Sequence, residues 1–313
     1  MLIRDLAEEL RDAKRRKLQA SSFAAFEYAL DKIVVPEIGH LRPSQAGPDR
    51  IARLIRDLDE RGLQPASVRR YLSPLAPIFR LAIRRGLIST SPLALLSDEE
   101  LPRGGGVREH YIWSPEEIAA LIDAAEELGR EPASQYNYAP LIHLLVLTGL
   151  RVSEALALHW ADVDLLNAEL DIHSSWSRDG RLVAPKTEAG KRKVPLSPGL
   201  VDLLVRLKSE GAAEADFVFA SKAPGRPVSY WNFRARGFVK ALERAGLEGR
   251  GITIHDLRSA AASIFIRQGL TPVEVAEVLG HADSNITLRV YARLFDKRDV
   301  ADRVRAAQGA VLG

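Results

Sequence analysis

The chain has 313 residues, of which 46% are hydrophobic, so it is long enough to form two globular domains with separate cores. It contains no cysteine, which excludes disulfide bonds and thiolate metal sites and is typical of a cytoplasmic protein. Its 44 basic and 41 acidic side chains give a net charge of +3, so total charge identifies no class of partner. Because the sequence has neither a long apolar run nor an apolar signal core, we expect a soluble protein that is neither exported nor membrane-bound.

Short amphipathic helices are predicted along the first hundred residues. Apolar side chains recur at helical spacing from Ser22 to Ile33. A second helix, from about Asp49 to Gly62, places four apolar side chains on one face: Ile51, Leu54, Ile55 and Leu58. A third helical stretch opens at Gln64, and Pro74 and Pro77 predict a kink or a split within it. These hundred residues are therefore expected to form a compact all-α domain.

An arginine-rich segment lies within this half of the chain. Between Arg61 and Ser97 there are six arginines and no acidic residue. A basic surface without acidic neighbours is the electrostatic footprint of a nucleic-acid-binding protein. We infer four candidate DNA contacts from it: Arg69, Arg70, Arg84 and Arg85. The alternative is an ordinary solvated helix face.

A linker is predicted at residues 101–112, where Pro102 and three consecutive glycines cannot sustain a helix. Ser114 then starts a new helix, because an N-cap serine is followed by proline and by two glutamates. Residues 113–313 would form a second domain, with helices from Ala139 to Leu147 and from Val152 to Leu158. Three short strands are predicted next: Glu169–Ser174, Arg181–Pro185 and Lys191–Leu196. The rest of the chain, after residue 197, is predicted to be mainly helical.

Side chains suited to phosphate chemistry follow these elements. Arg151 begins a helix after a glycine turn, and His255 and Arg258 are spaced so that a helical start places both on one face. Arginine's planar fork suits the non-bridging oxygens of a phosphodiester. His281 follows Gly280, and Tyr291 stands ten residues further on. A phenol supplies an oxygen nucleophile that can form a covalent phosphoryl intermediate, and nearby positive charge favours its phenolate form.

Three motifs carry a family resemblance: Thr148-Gly-Leu-Arg151, His255-Asp-Leu-Arg258, and Leu279-Gly-His281 followed by Tyr291. Together they resemble the tyrosine recombinases, the family of phage integrases and chromosome-dimer resolvases. The resemblance implies an all-α core-DNA-binding domain at residues 1–100 and a catalytic domain at residues 113–313. The catalytic domain would be mainly α with a small antiparallel sheet. The implied activity is cutting and rejoining of duplex DNA through a 3′-phosphotyrosine, with no metal, ATP or other cofactor.

The resemblance also implies the roles of five residues around the phosphate. Arg151 and Arg258 would be the two arginines that clamp it. His255 would transfer a proton and contact the phosphate, and His281 would donate a hydrogen bond to a non-bridging oxygen. Glu154 would orient the other side chains, and the alternative for it is a surface acid on a helix.

Cleavage would begin with attack by Tyr291, and the departing 5′-oxygen needs a proton. Family members use a lysine in a strand turn for this step, and Lys186 is the candidate here. Lys191 and Lys193 are competitors in the same hairpin. The chain departs from the family pattern at Ser259, where relatives often have histidine.

The implied partner is double-stranded DNA, and recombination between two duplexes implies a homotetramer on DNA. The segment after Tyr291 is a candidate to dock on a neighbouring subunit, and packing on its own domain is the alternative. Two other functions share parts of the pattern. A type IB-like topoisomerase would use the same chemistry as a monomer, and a DNA-binding relative would have no catalytic role. No metal site is expected, because the seven histidines form no close ligand pair.

Overall fold

The computed structural model describes residues 1–102, 111–132, 134, 136–177, 179–185, 187–281, 304–305 and 308. Its backbone contacts divide the chain into two compact units, Met1–Arg108 and Glu109–Gly313. The division lies inside the stretch 101–112 that the sequence assigns to a linker. None of the helices in the described part of the chain is both long enough and apolar enough to cross a bilayer.

The first unit is helical. Its helices are α1 (Ile3–Arg15), α2 (Ala20–Ala29), α3 (Val35–Ile38), α4 (Pro48–Glu60), α5 (Pro65–Leu72) and α6 (Leu75–Arg84). A π-helical segment, Leu30–Val34, joins α2 to α3. The four apolar side chains predicted to share one face of α4 are all buried, so that prediction is confirmed. The split predicted from Pro74 and Pro77 is also confirmed, because α5 ends at Leu72 and α6 begins at Leu75.

The second unit contains the remaining helices and all the described strands. The helices are α7 (Pro115–Arg130), α8 (Ala139–Thr148), α9 (Val152–Ala155), α10 (Pro198–Leu207), α11 (Tyr230–Asn232), α12 (Val239–Arg244), α13 (Asp256–Arg267) and α14 (Pro272–Leu279). The strands are β1 (Val163–Asp164), β2 (Glu169–Ile172), β3 (Ser175–Trp176), β4 (Leu182–Val183) and β5 (Arg192–Pro195). The predicted fold class, mainly α with a small antiparallel sheet in this unit, is confirmed.

Two small antiparallel sheets are present among the described residues. One has the strand order β1-β2-β5, and the other pairs β3 with β4. The sequence predicted β2, β4 and β5 but not β1 and β3, and the two-residue strand β4 is shorter than the predicted Arg181–Pro185. The described residues from 198 to 281 are mainly helical, as predicted, but residues 208–229 form no helix. That stretch contains Gly211, Pro224, Gly225 and Pro227, residue types that disfavour a continuous helix.

Helix α9 is shorter than predicted and ends at Ala155 instead of Leu158. The backbone carbonyl of Leu158 accepts a hydrogen bond from the amide of Val218, at 2.9 Å, and so is directed toward another segment. At the other end of this unit, Ser114 caps α7 as predicted. Its hydroxyl accepts from the amide of Glu117 at 3.2 Å, and the Glu117 carboxylate accepts from the amide of Ser114 at 3.0 Å.

Helices α8 and α13 pack together in the second unit, and the end of α8 is in close contact with its neighbours. Gly149 ends α8 in a left-handed conformation, with φ of +68°. A Cβ atom at this position would lie 2.3 Å from Cδ2 of Leu279 and 3.0 Å from Cβ of Ala261. A glycine is therefore required both by the backbone turn and by the close approach of α13 and α14.

Candidate active site

Arg151 lies at the N-cap of α9, immediately after the turn that ends α8. The carboxylate of Glu154 accepts hydrogen bonds from the Arg151 backbone amide at 2.9 Å and from its Nη1 at 2.7 Å. Glu154 itself is buried, whereas 41% of the Arg151 side chain is exposed. The guanidinium is thus held on one side by a fixed carboxylate and remains accessible to a ligand.

Arg258 occupies the first turn of α13 and is almost fully buried. Its Nη1 donates to the carbonyl of Gly149 at 2.7 Å, and its Nη2 donates to the carbonyl of Leu279. Gly149 leads directly to the start of α9, and Leu279 leads to the turn that carries His281. One guanidinium therefore fixes the two backbone segments that present the other candidate site residues.

His281 follows the glycine that ends α14. Gly280 is left-handed, with φ of +68°, and the amide of His281 donates to the carbonyl of Ala276 at 2.9 Å. A Cβ atom at Gly280 would lie 2.7 Å from the carbonyl oxygen of Ala189 and 2.9 Å from Nη1 of Arg192. The turn is consequently packed against the segment that enters β5, which limits where the imidazole can point.

The electrostatic surroundings of His281 show that the candidate residues converge. Burial lowers the pKa of its imidazole to about 3, and the charges of Arg258, Arg151, His255 and Arg192 act in the same direction. Charges influence a group this way only when they are near it. His281 is therefore neutral at neutral pH, and one ring nitrogen can donate a hydrogen bond to an anion.

The start of α13 is held rigidly by Asp256. This buried carboxylate accepts from both the amide and the hydroxyl of Thr253, each at 2.7 Å, and its own carbonyl accepts from Nε1 of Trp113 at 2.7 Å. His255 lies next to it at the N-cap of α13 and is exposed. Ser259, the departure from the family pattern, is buried inside the same helix.

Arg192 is the site residue that the sequence analysis missed. In β5 it faces Ile172 of β2, on the same side as the buried Val194, and only 7% of its side chain is exposed. Its Nη2 donates to Glu154 at 3.0 Å. The sequence Lys191-Arg-Lys193 looks like a solvated basic run, but strand alternation relative to Val194 would have placed the arginine on the inner face.

The residues proposed to carry out attack and protonation, Tyr291 and Lys186, lie outside the described residues, as does the segment directly after Tyr291. Both competitors of Lys186 pair with acids at the surface. Nζ of Lys191 lies 3.1 Å from Glu188, and Nζ of Lys193 lies 2.9 Å from Glu169. Both pairs are exposed to solvent, where ion pairs are weak, so the choice of Lys186 among the three lysines stays a prediction.

The candidate DNA contacts of the first unit are exposed but differ in their partners. Nη2 of Arg69 donates to the carbonyl of Pro102 at 3.0 Å, and Arg85 forms an ion pair with Glu9 at 2.5 Å. Arg70 and Arg84 make no side-chain hydrogen bond or ion pair with other described residues. The segment lacks acids in sequence, but in space Glu9 lies beside Arg85 and Glu37 pairs with Arg61 at 2.6 Å, so the surface around this segment is not free of acidic neighbours.

No cluster of three or more histidine, aspartate or glutamate side chains able to hold a metal ion occurs among the residues that the structure describes. The positive charge at the candidate site is supplied there by Arg151, Arg192 and Arg258. Guanidinium groups stay protonated at any pH at which a protein is folded, so this charge does not depend on pH.

Comparisons with known proteins identify relatives of this chain. A model of the phage integrase family matches residues 113–298. The ICEBs1 integrase of Bacillus subtilis is 26% identical over 264 residues, which cover 80% of this chain and 68% of the relative. Tyrosine recombinase XerD of Bradyrhizobium diazoefficiens is 28% identical over 262 residues, covering 78% of this chain and 76% of the relative. The Tn1549 transposon integrase, solved in complex with transposon right end DNA, has the same fold, with a TM-score of 0.78, 18% identity and full coverage of both chains.

Proposed function

The chain belongs to the phage integrase family, and on this basis we propose that it cuts and rejoins duplex DNA through a covalent bond between Tyr291 and a 3′-phosphate. Members of this family are tyrosine recombinases, which exchange DNA strands. The observation that carries the proposal is the arrangement of Arg151, Arg258 and His281. Two fixed guanidiniums and one neutral imidazole around one point are suited to the extra charge of a five-coordinate phosphorus.

The steps follow from the chemistry of the proposed residues. The phenol oxygen of Tyr291 attacks phosphorus, its proton passes to a base, and a phosphotyrosine bond forms while the bond from phosphorus to the 5′-oxygen breaks. Lys186 gives a proton to the departing 5′-oxygen. A 5′-hydroxyl from a second strand then attacks the phosphotyrosine and releases the phenol. The phosphodiester bond energy is kept throughout, so the reaction has no need of ATP.

Each of three side chains has a separate task in this scheme. Arg258, buried and bound to two carbonyls, contributes charge whose position does not change when DNA arrives. Arg151 is more exposed and is oriented by Glu154, so it would make the direct contact with a non-bridging oxygen. His255, exposed at the start of α13, is the proposed base for the phenol proton.

DNA recognition is proposed to involve both units. The exposed arginines of the first unit, Arg69, Arg70, Arg84 and Arg85, would bind backbone phosphates without reading the sequence. Exchange between two duplexes requires four cleavages, so we propose a homotetramer on DNA. The Tn1549 integrase, whose fold this chain shares, was solved bound to DNA, which supports the proposed partner.

The function is tested with a duplex that has a nick close to the cleavage site. The short fragment that carries the new 5′-hydroxyl then diffuses away, so that the covalent protein–DNA adduct accumulates. The wild-type protein should form this adduct in excess EDTA, and peptide mapping should locate the DNA on Tyr291. Tyr291→Phe should bind the duplex but form no adduct, whereas Tyr111→Phe should form it normally. An adduct formed by Tyr291→Phe, or activity lost in EDTA and restored by magnesium, would contradict the proposal. A two-site recombination assay, run beside a supercoil-relaxation assay, separates a recombinase from a topoisomerase.

A further inference from the structure

A buried arginine outside the proposed phosphate contacts connects three parts of the site. Nε of Arg192 donates to the carbonyl of Val278 at 2.8 Å, and its Nη1 donates to the carbonyl of Gly190 at 3.3 Å. Its Nη2 and Nη1 face the two carboxylate oxygens of Glu154 at 3.0 and 3.4 Å. All three nitrogens of the guanidinium therefore bind groups of the protein itself.

The carboxylate of Glu154 is shared between two arginines. Arg151 donates to it from Nη1 at 2.7 Å and from its backbone amide at 2.9 Å, while Arg192 approaches from β5. Glu154 and Arg192 are equally buried, each with 7% of the side chain exposed. A buried carboxylate without a second cation would carry a large desolvation penalty, and a protonated one would hold Arg151 less firmly.

The same guanidinium also supports the turn that presents His281. Val278 lies in the last turn of α14, one residue before Leu279, whose carbonyl binds Arg258. Gly280 packs closely against the same guanidinium, because a Cβ atom added at Gly280 would lie only 2.9 Å from Nη1 of Arg192. A shift of Arg192 would consequently release the end of α14 as well as Glu154.

We propose that Arg192 is a positioning residue for strand cleavage, which keeps Glu154 ionised and aligned behind Arg151 and fixes the turn that carries His281. It acts through these residues and not on the phosphate itself, because four of its five N–H groups bind protein acceptors and only 7% of its side chain is exposed. The proposal rests on the proposed function, since its effect is on the cleavage step.

The charged and titratable groups around Glu154 allow a test by pH. On its own helix it faces Arg151, and from β5 it faces Arg192, while His281 at the end of α14 shares this cluster with Arg258 and His255 of α13. Burial by itself raises the pKa of Glu154, but the hydrogen bonds and charge of Arg192, followed by the charge of Arg151, hold it below its ordinary value. Without Arg192 the burial effect should dominate and raise this pKa.

The first experiment measures single-turnover cleavage of the nicked duplex from pH 5 to pH 8. It compares the wild type with Arg192→Gln, Glu154→Gln and the double variant. We expect Arg192→Gln to bind DNA as well as the wild type but to cleave about 100-fold more slowly at neutral pH, as for a misplaced catalytic group. Its rate relative to the wild type should fall further toward pH 5, as Glu154 becomes protonated. In the Glu154→Gln background, loss of Arg192 should have little additional effect, and the ratio should not depend on pH.

A matched control separates positioning from general stability. Arg267 lies on α13 and donates to the carbonyl of Trp113 at 3.1 Å, so Arg267→Gln removes a structural arginine of the same unit. It should lower the melting temperature without changing the cleavage rate or its pH profile. Arg192→Lys keeps one positive charge but loses the fork, so it should restore the flat pH profile more fully than the rate.

The outcomes distinguish this proposal from the proposed function. Multiplicative losses in the double variant, or a variant-to-wild-type ratio that is constant from pH 5 to pH 8, would overturn the positioning role. If the wild type forms no adduct at all, the proposed function fails. A double-mutant cycle on denaturant unfolding then still measures whether Arg192 and Glu154 are coupled, and the absence of coupling there overturns the structural basis of the proposal.

Discussion

Two buried arginines of the candidate active site differ from two candidate DNA-binding arginines of the first unit in how they are held. In the second unit, Arg192 and Arg258 are buried, and their donors bind backbone carbonyls or a carboxylate. In the first unit, Arg70 and Arg84 lie on exposed helix surfaces without a side-chain partner among the described residues. Fixed charge stabilises a transition state because it needs no reorganisation, whereas exposed, mobile charge chiefly contributes salt-dependent affinity. Under the proposed function, the same residue type would serve catalysis in one unit and DNA binding in the other.

Among the cationic side chains, the largest effect is expected at Lys186, the residue proposed to protonate the departing 5′-oxygen. General-acid help is worth about 100- to 10,000-fold, so Lys186→Ala should cleave normal DNA slowly by about this factor. A thiolate leaves without a proton, so sulfur at the 5′-bridging position should restore most of the rate. Lys191→Ala and Lys193→Ala serve as controls, because both ammonium groups pair with surface acids, and neither should show rescue. Rescue of one of them, and not of Lys186→Ala, would show that the hairpin assignment is wrong.

Arg258→Lys tests whether the fixed position of a buried charge matters for cleavage. Lysine keeps the charge but cannot bind the carbonyls of Gly149 and Leu279 together, so the charge is no longer fixed. We expect single-turnover cleavage to fall about 100- to 1,000-fold, the range measured when one fixed donor to a transition state is removed. Affinity for the duplex should stay at the wild-type level. A large loss of affinity with a normal cleavage rate would mean that Arg258 is a binding residue like those of the first unit.

Gly280→Ala tests whether the close packing behind His281 matters in addition to the backbone angle. Gly246 also has a positive φ, +67°, but a Cβ atom there would meet nothing within 4 Å. Both substitutions should destabilise the fold by about 1 to 2 kcal/mol through the left-handed backbone, and Gly280→Ala should cost more because of its contacts. Only Gly280→Ala should slow cleavage. Denaturant unfolding and single-turnover cleavage are measured on Gly280→Ala and Gly246→Ala. Equal losses of stability and of cleavage rate in the two variants would show that the packing around Gly280 has no effect of its own.

The smallest effects are expected in the first unit, one arginine at a time. Arg70→Gln and Arg84→Gln should each flatten the plot of log affinity against log salt by about 0.9 if each side chain binds one phosphate. Arg85→Gln should change the slope less, because Glu9 already neutralises that guanidinium. Fluorescence anisotropy across a salt series gives the slopes. Unchanged slopes for all three variants would show that these arginines do not bind DNA phosphates.

Local patterns in the sequence were sufficient to predict much of the fold. The apolar face of α4, the break near Pro74 and the cap at Ser114 each depend on a few neighbouring residues. Strands β1 and β3 were missed, and each is defined by two residue pairs with a neighbouring strand. The role of Arg192 also depends on long-range contacts, namely the register of β5 with β2 and the approach of Glu154 and Val278. Spacing along the chain contains no information about such contacts.

The family motifs predicted Arg151, His255, Arg258 and His281 as site residues, and in the structure the charges of the first three act on the imidazole of His281. The motifs used here contain residues proposed to act at the phosphate. They do not include Arg192, which is proposed to act through Glu154 and the end of α14. The arginine-rich segment was found from composition alone. Composition could not show that Glu9 of α1 lies beside Arg85, because the two are distant in sequence.

The division of labour between fixed and exposed arginines is tested most directly by measuring affinity and cleavage on the same variants. Arg258→Lys represents the fixed group, and Arg70→Gln combined with Arg84→Gln represents the exposed group. Duplex affinity is measured at several salt concentrations, and single-turnover adduct formation is measured with the DNA fully bound. We expect Arg258→Lys to lose cleavage rate at wild-type affinity, and the double variant of the first unit to lose affinity and salt dependence at the wild-type rate. If both variants lose rate and affinity in parallel, the two groups of arginines do not have separate functions and the account is wrong.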